Sequence, residues 1–173
     1  MEQHQIAKLL DQLDKSKNKH VTIVAKICLS TGARWGEAET LRASQIRNGL
    51  IQFVHIKSSK ARSVPIIDDL EKSIKEHVQD ADNERLFNNA YAAFREGLNQ
   101  AKLKLSKGQL THILRHTFAS HFMMNGGNIL ALQKVSGHQS LTMTMRYAQL
   151  PPEHLQQTRQ LNPLARLAMS SQK

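Results

Sequence analysis

Residues 112–127, HILRHTFASHFMMNGG, carry three histidines and one arginine in their first ten positions and end in two glycines. At 100° per residue, His112, Arg115 and His116 share one face of a helix. The adjacent face is apolar and carries Leu114, Phe118 and Phe122. The stretch therefore predicts a helix that stops at the glycine pair and holds a polar cluster beside the hydrophobic core.

Histidines four residues apart on a helix, such as His112 and His116, can bind zinc. Zinc is disfavoured here because residue 113 is an isoleucine instead of a glutamate base, and because Arg115 would hold a permanent positive charge against the metal. Arginine beside histidine favours an anion site. The alternative from this stretch alone is that both histidines are hydrogen-bonded helix residues beside the core.

The composition predicts one basic domain. The 173 residues are 40% hydrophobic, and 24 Lys and Arg against 14 Asp and Glu give a net charge of +10, which favours a polyanionic partner such as nucleic acid. A merely basic soluble protein is the alternative. Cys28 stands alone, and the chain lacks both an apolar run of about 20 residues and the apolar core of a signal peptide, so we expect an intracellular protein without a membrane span.

The predicted fold is a mostly helical α+β domain with one small three-stranded antiparallel sheet over residues 44–67. Asn48-Gly49 separates SQIR from LIQFVHI, which is a strong hairpin signal, and a second turn at KSSKA leads to RSVPI. Helical spacing and stop signals predict helices elsewhere. They cover about residues 6–13, 21–29, 68–78, 88–105, 112–125, 129–137, 140–149 and 153–161, and residues 34–43 are predicted to form a short polar helix or a turn.

Tyr147 lies nine residues after His138 and is one of two tyrosines. A tyrosine can attack a phosphodiester, and cationic side chains can hold the charge that develops on the phosphorus oxygens. Ionising a phenol of pKa about 10 at neutral pH costs roughly 4 kcal/mol, so a base or a positive field must assist. A magnesium nuclease needs converging carboxylates, whereas the acids here are scattered. The structural alternative is a tyrosine at the edge of the core.

Four stretches together resemble, in order and spacing, the catalytic domain of the tyrosine recombinases, most closely the integrases of temperate bacteriophages. They are TGARWGEAETLRASQI, IKSSKARSVPI, THILRHTFASHFMMNGGNILALQKVSGH and TMTMRYA. The resemblance covers about residues 21–148. It implies the tyrosine recombinase fold and a site-specific recombinase that integrates or excises phage DNA with neither a metal nor another cofactor.

The resemblance also implies which side chains hold the scissile phosphate. Arg34 and Arg115 match the two arginines that grip its non-bridging oxygens. His138 matches a position that donates a further hydrogen bond to the phosphate.

Three further residues carry the bond and proton transfers that the resemblance implies. Tyr147 matches the nucleophile, which forms a 3′-phosphotyrosine bond and releases a 5′ hydroxyl. Lys57 matches the lysine that protonates this leaving 5′ oxygen. His112 matches a hydrogen-bonding and proton-accepting group near the nucleophile.

Other polar residues are given supporting or binding roles. Glu37 matches an acidic position that supports the site by pairing with a basic residue; a carboxylate at a helix N-terminus is the alternative. His116 is given a supporting role. Four basic residues are interpreted as contacts to the DNA backbone instead of as catalytic groups. They are Arg42, Arg47, Lys60 and Arg62.

The partners implied are double-stranded DNA attachment sites and DNA-bending accessory proteins. We expect residues 1–173 to be one catalytic domain that lacks the DNA-binding domains which precede it in the family. The tail 152–173 is expected to be exchanged between two subunits, giving a dimer of this chain and a tetramer on DNA. Alternatives are a resolvase or invertase of the same family, a type IB topoisomerase, or a DNA-binding module in which Tyr147 is structural.

Overall fold

The computed structural model describes residues 1–54, 61–78, 85–103 and 110–148. This part of the chain forms eight α-helices and one three-stranded sheet, so the mostly helical α+β class is confirmed. The helices are α1 (Gln3–Asp14), α2 (Val21–Thr31), α3 (Trp35–Glu39), α4 (Asp68–Val78), α5 (Tyr91–Gln100), α6 (His112–Met124), α7 (Ile129–Ser136) and α8 (Thr142–Met145). The strands are β1 (Ile46–Arg47), β2 (Leu50–Val54) and β3 (Ala61–Pro65).

Helix α2 runs through the centre of the main core, which we define as the buried residues around Val24, Ile27, Phe53 and Phe94. It packs against α1, α3, α4, α5 and α6. Its residues are apolar on nearly every side, which is the pattern of a helix that is buried all round. Because α2 is held on so many sides, its C-terminal end is a fixed platform for the residues that follow.

The sheet has the order β1-β2-β3 and is antiparallel throughout. Along β2, Ile51 and Phe53 are buried while the residues between them are exposed, so one face of the sheet covers the main core. Asn48 and Gly49 have φ angles of 51° and 72°, as a two-residue hairpin turn requires. The predicted hairpin is confirmed. The second predicted turn lies outside the described residues.

A second cluster of buried residues lies where α6, α7 and the end of α8 meet. It consists of Ala119, Met123, Leu132 and Tyr147. The predicted apolar face of α6 contributes to it, because Phe118 and Phe122 pack against this second cluster. The N-terminal turn of α6 instead places Ile113 and Leu114 in the main core. Helix α6 therefore joins the two apolar regions.

The Arg62 side chain ties β3 to α3 and α7. Its Nη1 and Nη2 donate to the two carboxylate oxygens of Glu37 at 3.1 and 2.7 Å, and its Nε donates to the Val135 carbonyl at 2.8 Å. The guanidinium lies 4.7 Å from the centre of the Phe53 ring, and the side chain is only 11% exposed. Because these donors are bonded within the protein, this placement does not favour a contact of Arg62 with the DNA backbone, and that interpretation stays a prediction.

The carboxylate of Glu37 stays ionised in this setting. Burial raises its pKa, but hydrogen bonds from the Arg62 side chain and the Arg34 backbone, together with both positive charges, outweigh burial and hold the pKa at about 2. Glu37 therefore acts as the negative partner of two arginines from different elements.

Two further predictions concern membranes and the tail. Within the described ranges, no helix is long and apolar enough to cross a membrane. The tail 152–173 and the helix predicted at 153–161 lie outside the described residues.

Replacing Gly32 with alanine should destabilise the protein. Gly32 ends α2 with φ +65°, and a Cβ there would lie 2.5 Å from Cδ1 of Phe118. We expect Gly32→Ala to lower the free energy of unfolding by about 2–3 kcal/mol, from the left-handed backbone and the forced repacking. The measurement is urea denaturation followed by circular dichroism.

The matched control is Gly36→Ala in α3, where an added Cβ meets nothing within 4 Å. Alanine is favoured over glycine in a helix by about 1 kcal/mol, so this variant should be as stable as the parent or more so. Equal losses in the two variants would contradict the role given to Gly32.

Stability should fall in acid because of Glu37. A carboxyl whose folded pKa is about 2, against 4.5 for the free group, stabilises the fold above pH 4.5, and this contribution is lost as the pH falls toward 2. The Glu37 carboxylate contributes at most about 3 kcal/mol to the free energy of unfolding. In urea titrations at a series of pH values, Glu37→Gln should be less stable than the parent at pH 7 and should lose less stability across that acid range.

The control for this prediction is Glu76→Gln, which removes a carboxylate with 62% of its side chain exposed. It should follow the parent at every pH. If Glu37→Gln also follows the parent in parallel, the Glu37 carboxylate does not stabilise the fold in the way its contacts indicate.

Candidate active site

Arg34 stands between the end of α2 and the start of α3. After Gly32 turns the chain, Arg34 is extended (φ −70°, ψ 151°) and precedes the first residue of α3. Its backbone N–H donates to Glu37 Oε2 at 2.8 Å, and its Nη1 donates to Glu37 Oε1 at 3.4 Å. The side chain is 39% exposed. Glu37 thus fixes one edge of a guanidinium that still faces solvent.

Arg115 of α6 is nearly buried, with 8% of its surface exposed. Its Nη1 donates to the Gly32 carbonyl and its Nη2 to the Ser136 carbonyl, both at 2.7 Å. These oxygens belong to the C-terminal ends of α2 and α7. Burial and the charge of Arg34 lower the pKa of Arg115 to about 10, so the side chain remains a cation at neutral pH.

His138 follows α7 at a left-handed turn on Gly137 (φ +65°). Its Nδ1 shares a hydrogen bond of 2.8 Å with Oγ1 of the fully buried Thr144, which fixes the ring. Burial, and then the charges of Arg115 and Arg34, lower its pKa to about 4. His138 is therefore neutral at pH 7 and lies close enough to both arginines to be affected by their charge.

Tyr147 follows α8 and is only 6% exposed, because its ring is part of the second cluster. Its hydroxyl shares a hydrogen bond with Nδ1 of His116 on α6, and the two ring centres are 5.9 Å apart. Burial raises the pKa of Tyr147, while the charges of Arg146 and Arg115 act in the opposite direction. The phenol is therefore protonated and lies beside a histidine. The positive charges of Arg146 and Arg115 act on it.

Two of the three histidines of α6, His112 and His116, differ in their surroundings. His112 is the first residue of the helix and is exposed. His116, one turn later, is partly buried against Tyr147. Burial lowers the pKa of His116, and the charges of Arg146, His112 and Arg115 lower it further, so the ring is neutral at pH 7.

Four of the six predicted catalytic residues are brought into one site: Arg34, Arg115, His138 and Tyr147. His112 lies one turn from its centre. Lys57, predicted as the proton donor, lies outside the described residues, as does Lys60. Arg42 and Arg47 are exposed at the entry to the sheet, and their interpretation as DNA contacts stays a prediction.

Sequence reasoning missed two contacts of this site. The hydrogen bond between His116 and Tyr147 joins residues 31 positions apart, and the only signal for it was that His116 shares a helix face with His112 and Arg115. Arg146 was not singled out, yet its charge acts on His116, His138 and Tyr147. Its position directly before Tyr147 was the available signal.

The arrangement suits an anion and a nucleophile. Within the ranges that the structure describes, no group of three His, Cys, Asp or Glu side chains could hold a metal ion. Two guanidinium groups and a neutral histidine instead present donors of the kind that bind phosphate oxygens. A phenol hydroxyl beside them can attack the phosphorus.

Comparisons of the sequence with known proteins find a family match and close relatives. The sequence matches the phage integrase family over residues 1–154. It is 48% identical over 166 residues to the integrase of Escherichia phage 186, which covers 96% of this chain and 48% of that protein. It is 49% identical over 160 residues to the integrase of Haemophilus phage HP1 (strain HP1c1), and this match covers 92% of this chain and 46% of that protein. The chain thus spans about half the length of the curated relatives it matches.

The fold agrees as well. The catalytic domain of bacteriophage HP1 integrase superposes with a TM-score of 0.87 at 48% identity, with 95% of both chains covered. A XerA recombinase shares the fold at 23% identity, with a TM-score of 0.74. The resemblance carried by the four sequence motifs is confirmed, and the chain belongs to the phage integrase family.

Proposed function

We propose that this chain is the catalytic domain of a site-specific recombinase, and that the longer protein to which it belongs integrates or excises phage DNA. The observation that carries the proposal is the Tyr147 hydroxyl, held beside a histidine in the electrostatic field of Arg115 and close to the site where Arg34 and His138 meet. Membership of the phage integrase family supports the same assignment.

In the proposed cleavage step, Oη of Tyr147 attacks the phosphorus of one DNA strand. A 3′-phosphotyrosine bond forms and the bond to the 5′ oxygen breaks. The 5′ oxygen leaves as a hydroxyl after taking a proton from Lys57, and it later attacks the phosphotyrosine of a partner strand. The bond energy is conserved in the protein–DNA link, so rejoining needs no nucleotide cofactor.

The donors of the site stabilise the pentavalent transition state. Arg34 and Arg115 hold the two non-bridging oxygens, His138 donates to one of them, and His112 adds a further contact from the exposed start of α6. Removing one such donor typically costs on the order of 3 to 4 kcal/mol, or a factor of about 100 to 1,000 in rate. The Arg34 side chain is 39% exposed, so a DNA phosphate can reach it.

The proposed partners follow from the proposed reaction. They are double-stranded attachment sites, four copies of the protein on DNA, and proteins that bend the DNA, so the protein acts in the cytoplasm of the bacterial host. A net charge of +10 supports binding to DNA. The exposed Arg42 and Arg47 are proposed contacts to the DNA backbone.

We further propose that two copies of this chain dimerise by exchanging residues 152–173. The tail carries Leu155, Leu161, Leu164 and Leu167. Helices α7 and α8 and their flanks expose apolar side chains that a partner's tail can cover. These side chains are Leu130, Leu141, Met143 and Met145.

Covalent capture tests the recombinase proposal. The protein is mixed in metal-free buffer with a labelled attachment-site duplex that carries a nick, so that the cleaved strand cannot be rejoined. We expect a protein–DNA adduct on denaturing gels with the parent and none with Tyr147→Phe, because only the phenol oxygen can form the phosphotyrosine bond.

The control for covalent capture is Tyr91→Phe, which removes the other tyrosine hydroxyl, on α5, and should leave the adduct unchanged. The experiment is done with this chain and with the chain extended to the length of its relatives. Binding without an adduct in both forms would favour a DNA-binding module over an enzyme.

The dimer is tested by sedimentation velocity at high protein concentration. We expect residues 1–173 to sediment as a dimer and residues 1–150 as a monomer, because deletion removes the exchanged leucines. A full chain that is monomeric, and that is unchanged by the deletion, would show that the tail folds onto its own subunit.

A further inference from the structure

The hydroxyl of Tyr147 has one well-defined neighbour on another element, Nδ1 of His116. The tyrosine ring is fixed by the second cluster, and His116 is fixed by the middle of α6. The two rings lie 5.9 Å apart, centre to centre, at an interplanar angle of 48°. The oxygen that would attack phosphorus is thus held against a histidine nitrogen by packing on both sides.

Both partners of this hydrogen bond are neutral at pH 7. Burial and the positive charges of Arg146, His112 and Arg115 keep the pKa of His116 low, so the imidazole is neutral. Burial keeps the pKa of Tyr147 high, so the phenol is also neutral. A neutral imidazole can carry its proton on either ring nitrogen; with the proton on Nε2, Nδ1 accepts from the tyrosine O–H.

We propose that His116 accepts the phenolic proton of Tyr147 during strand cleavage and returns it during rejoining. This inference rests on the proposed recombinase function. As the bond between Oη and phosphorus forms, the O–H bond breaks and its proton moves to Nδ1, while the bond to the 5′ oxygen breaks and that oxygen takes a proton from its own donor. Reversal restores the phenol and the neutral imidazole.

This assignment separates His112 from His116 on α6. His116 faces the nucleophile, whereas His112, one turn earlier and exposed, lies at the mouth of the site. We therefore assign to His116 the proton-accepting role that the family resemblance suggested for His112. His112 keeps its proposed contact with the phosphate.

The same charges explain why the transfer waits for DNA. In the free protein, arginines on α6 and after α8 oppose a third positive charge on His116, so the phenol stays intact. A bound phosphodiester brings a negative charge into the site and makes protonation of His116 less costly. Bond formation to phosphorus also makes the phenol far more acidic. Proton transfer then becomes favourable when Tyr147 attacks.

The test compares rates of adduct formation on the nicked attachment-site duplex for the parent, His116→Gln and His112→Gln across about pH 5 to 9. We expect the parent rate to fall in acid as His116 becomes protonated. The cleavage rate of His116→Gln should be lower at neutral pH by a factor of about 100 to 10,000, and it should not show the fall in acid, which we call the acid limb of the pH profile. His112→Gln should be slower but keep the limb.

A second substrate separates acceptance of the tyrosine proton from donation to the leaving group. In a duplex whose scissile 5′-bridging oxygen is replaced by sulfur, the leaving thiolate needs no proton. The defect of His116→Gln should persist on this substrate. Recovery of its rate would place His116 at the leaving group and overturn the proposal.

His121→Gln is the matched control, because His121 lies on the same helix and contacts the Met1 carbonyl instead of the site. It should cleave like the parent. A His116→Gln rate within about threefold of the parent, or an acid limb that vanishes in His112→Gln instead, would overturn the assignment. Absence of an adduct from every protein, the parent included, would count against the proposed recombinase function itself.

The parent protein alone gives a measurement that does not depend on how the variants fold. Nitrogen-15 spectra of its histidines at neutral pH should show His116 with Nδ1 unprotonated and Nε2 protonated. A proton on Nδ1 of His116 would mean that the ring donates to Tyr147 and could not accept its proton, which would overturn the proposal.

Discussion

The buried guanidinium of Arg115 joins the ends of two helices, and the geometry of the site depends on it. Its two hydrogen bonds end on the carbonyls of Gly32 and Ser136, at the C-termini of α2 and α7. Helix C-termini carry partial negative charge, so they can stabilise a cation without a carboxylate. Because the partners are dipoles instead of a full counter-charge, the positive charge of Arg115 remains available to attract an anion.

The other charges of the site are arranged around this one. Glu37 pairs with Arg62 and also anchors Arg34, so one carboxylate positions two arginines on separate elements. The partly buried His116 and His138 have a lowered pKa because of burial and, after it, the positive charge of the arginines. Thr144 holds the His138 ring through Nδ1, and a neutral ring that accepts there would carry its proton on Nε2, from which it could donate to a phosphate oxygen. The result is a site with fixed cations and neutral, directional donors.

The sequence predicted what depends on local pattern. Helix α2 and the turn at Asn48-Gly49 follow from apolar spacing and from residues that tolerate positive φ. The family resemblance of the motifs also predicted that Arg34, Arg115, His138 and Tyr147 share one site. In each case the signal lies within one element or in side chains recognisable by type.

Long-range contacts were not predictable in the same way. Arg62 sits in a basic hairpin and resembles a solvated cation, yet it pairs with Glu37 at a distance of 25 residues and is almost buried. The carbonyls that hold Arg115 are backbone atoms and leave no trace in the side-chain pattern. Helical periodicity placed His112 and His116 on one face, but only the packing of α8 decides which of them meets Tyr147.

Two halves of the site therefore meet on α6 at neighbouring residues. Arg115 is anchored to the ends of α2 and α7, while His116 contacts a tyrosine held by the second cluster, which has far fewer buried residues than the main core in the part of the chain that the structure describes. Few buried apolar contacts mean low local stability. Among the described residues, the tyrosine is therefore anchored by fewer buried apolar contacts than Arg115 is, although packing holds both.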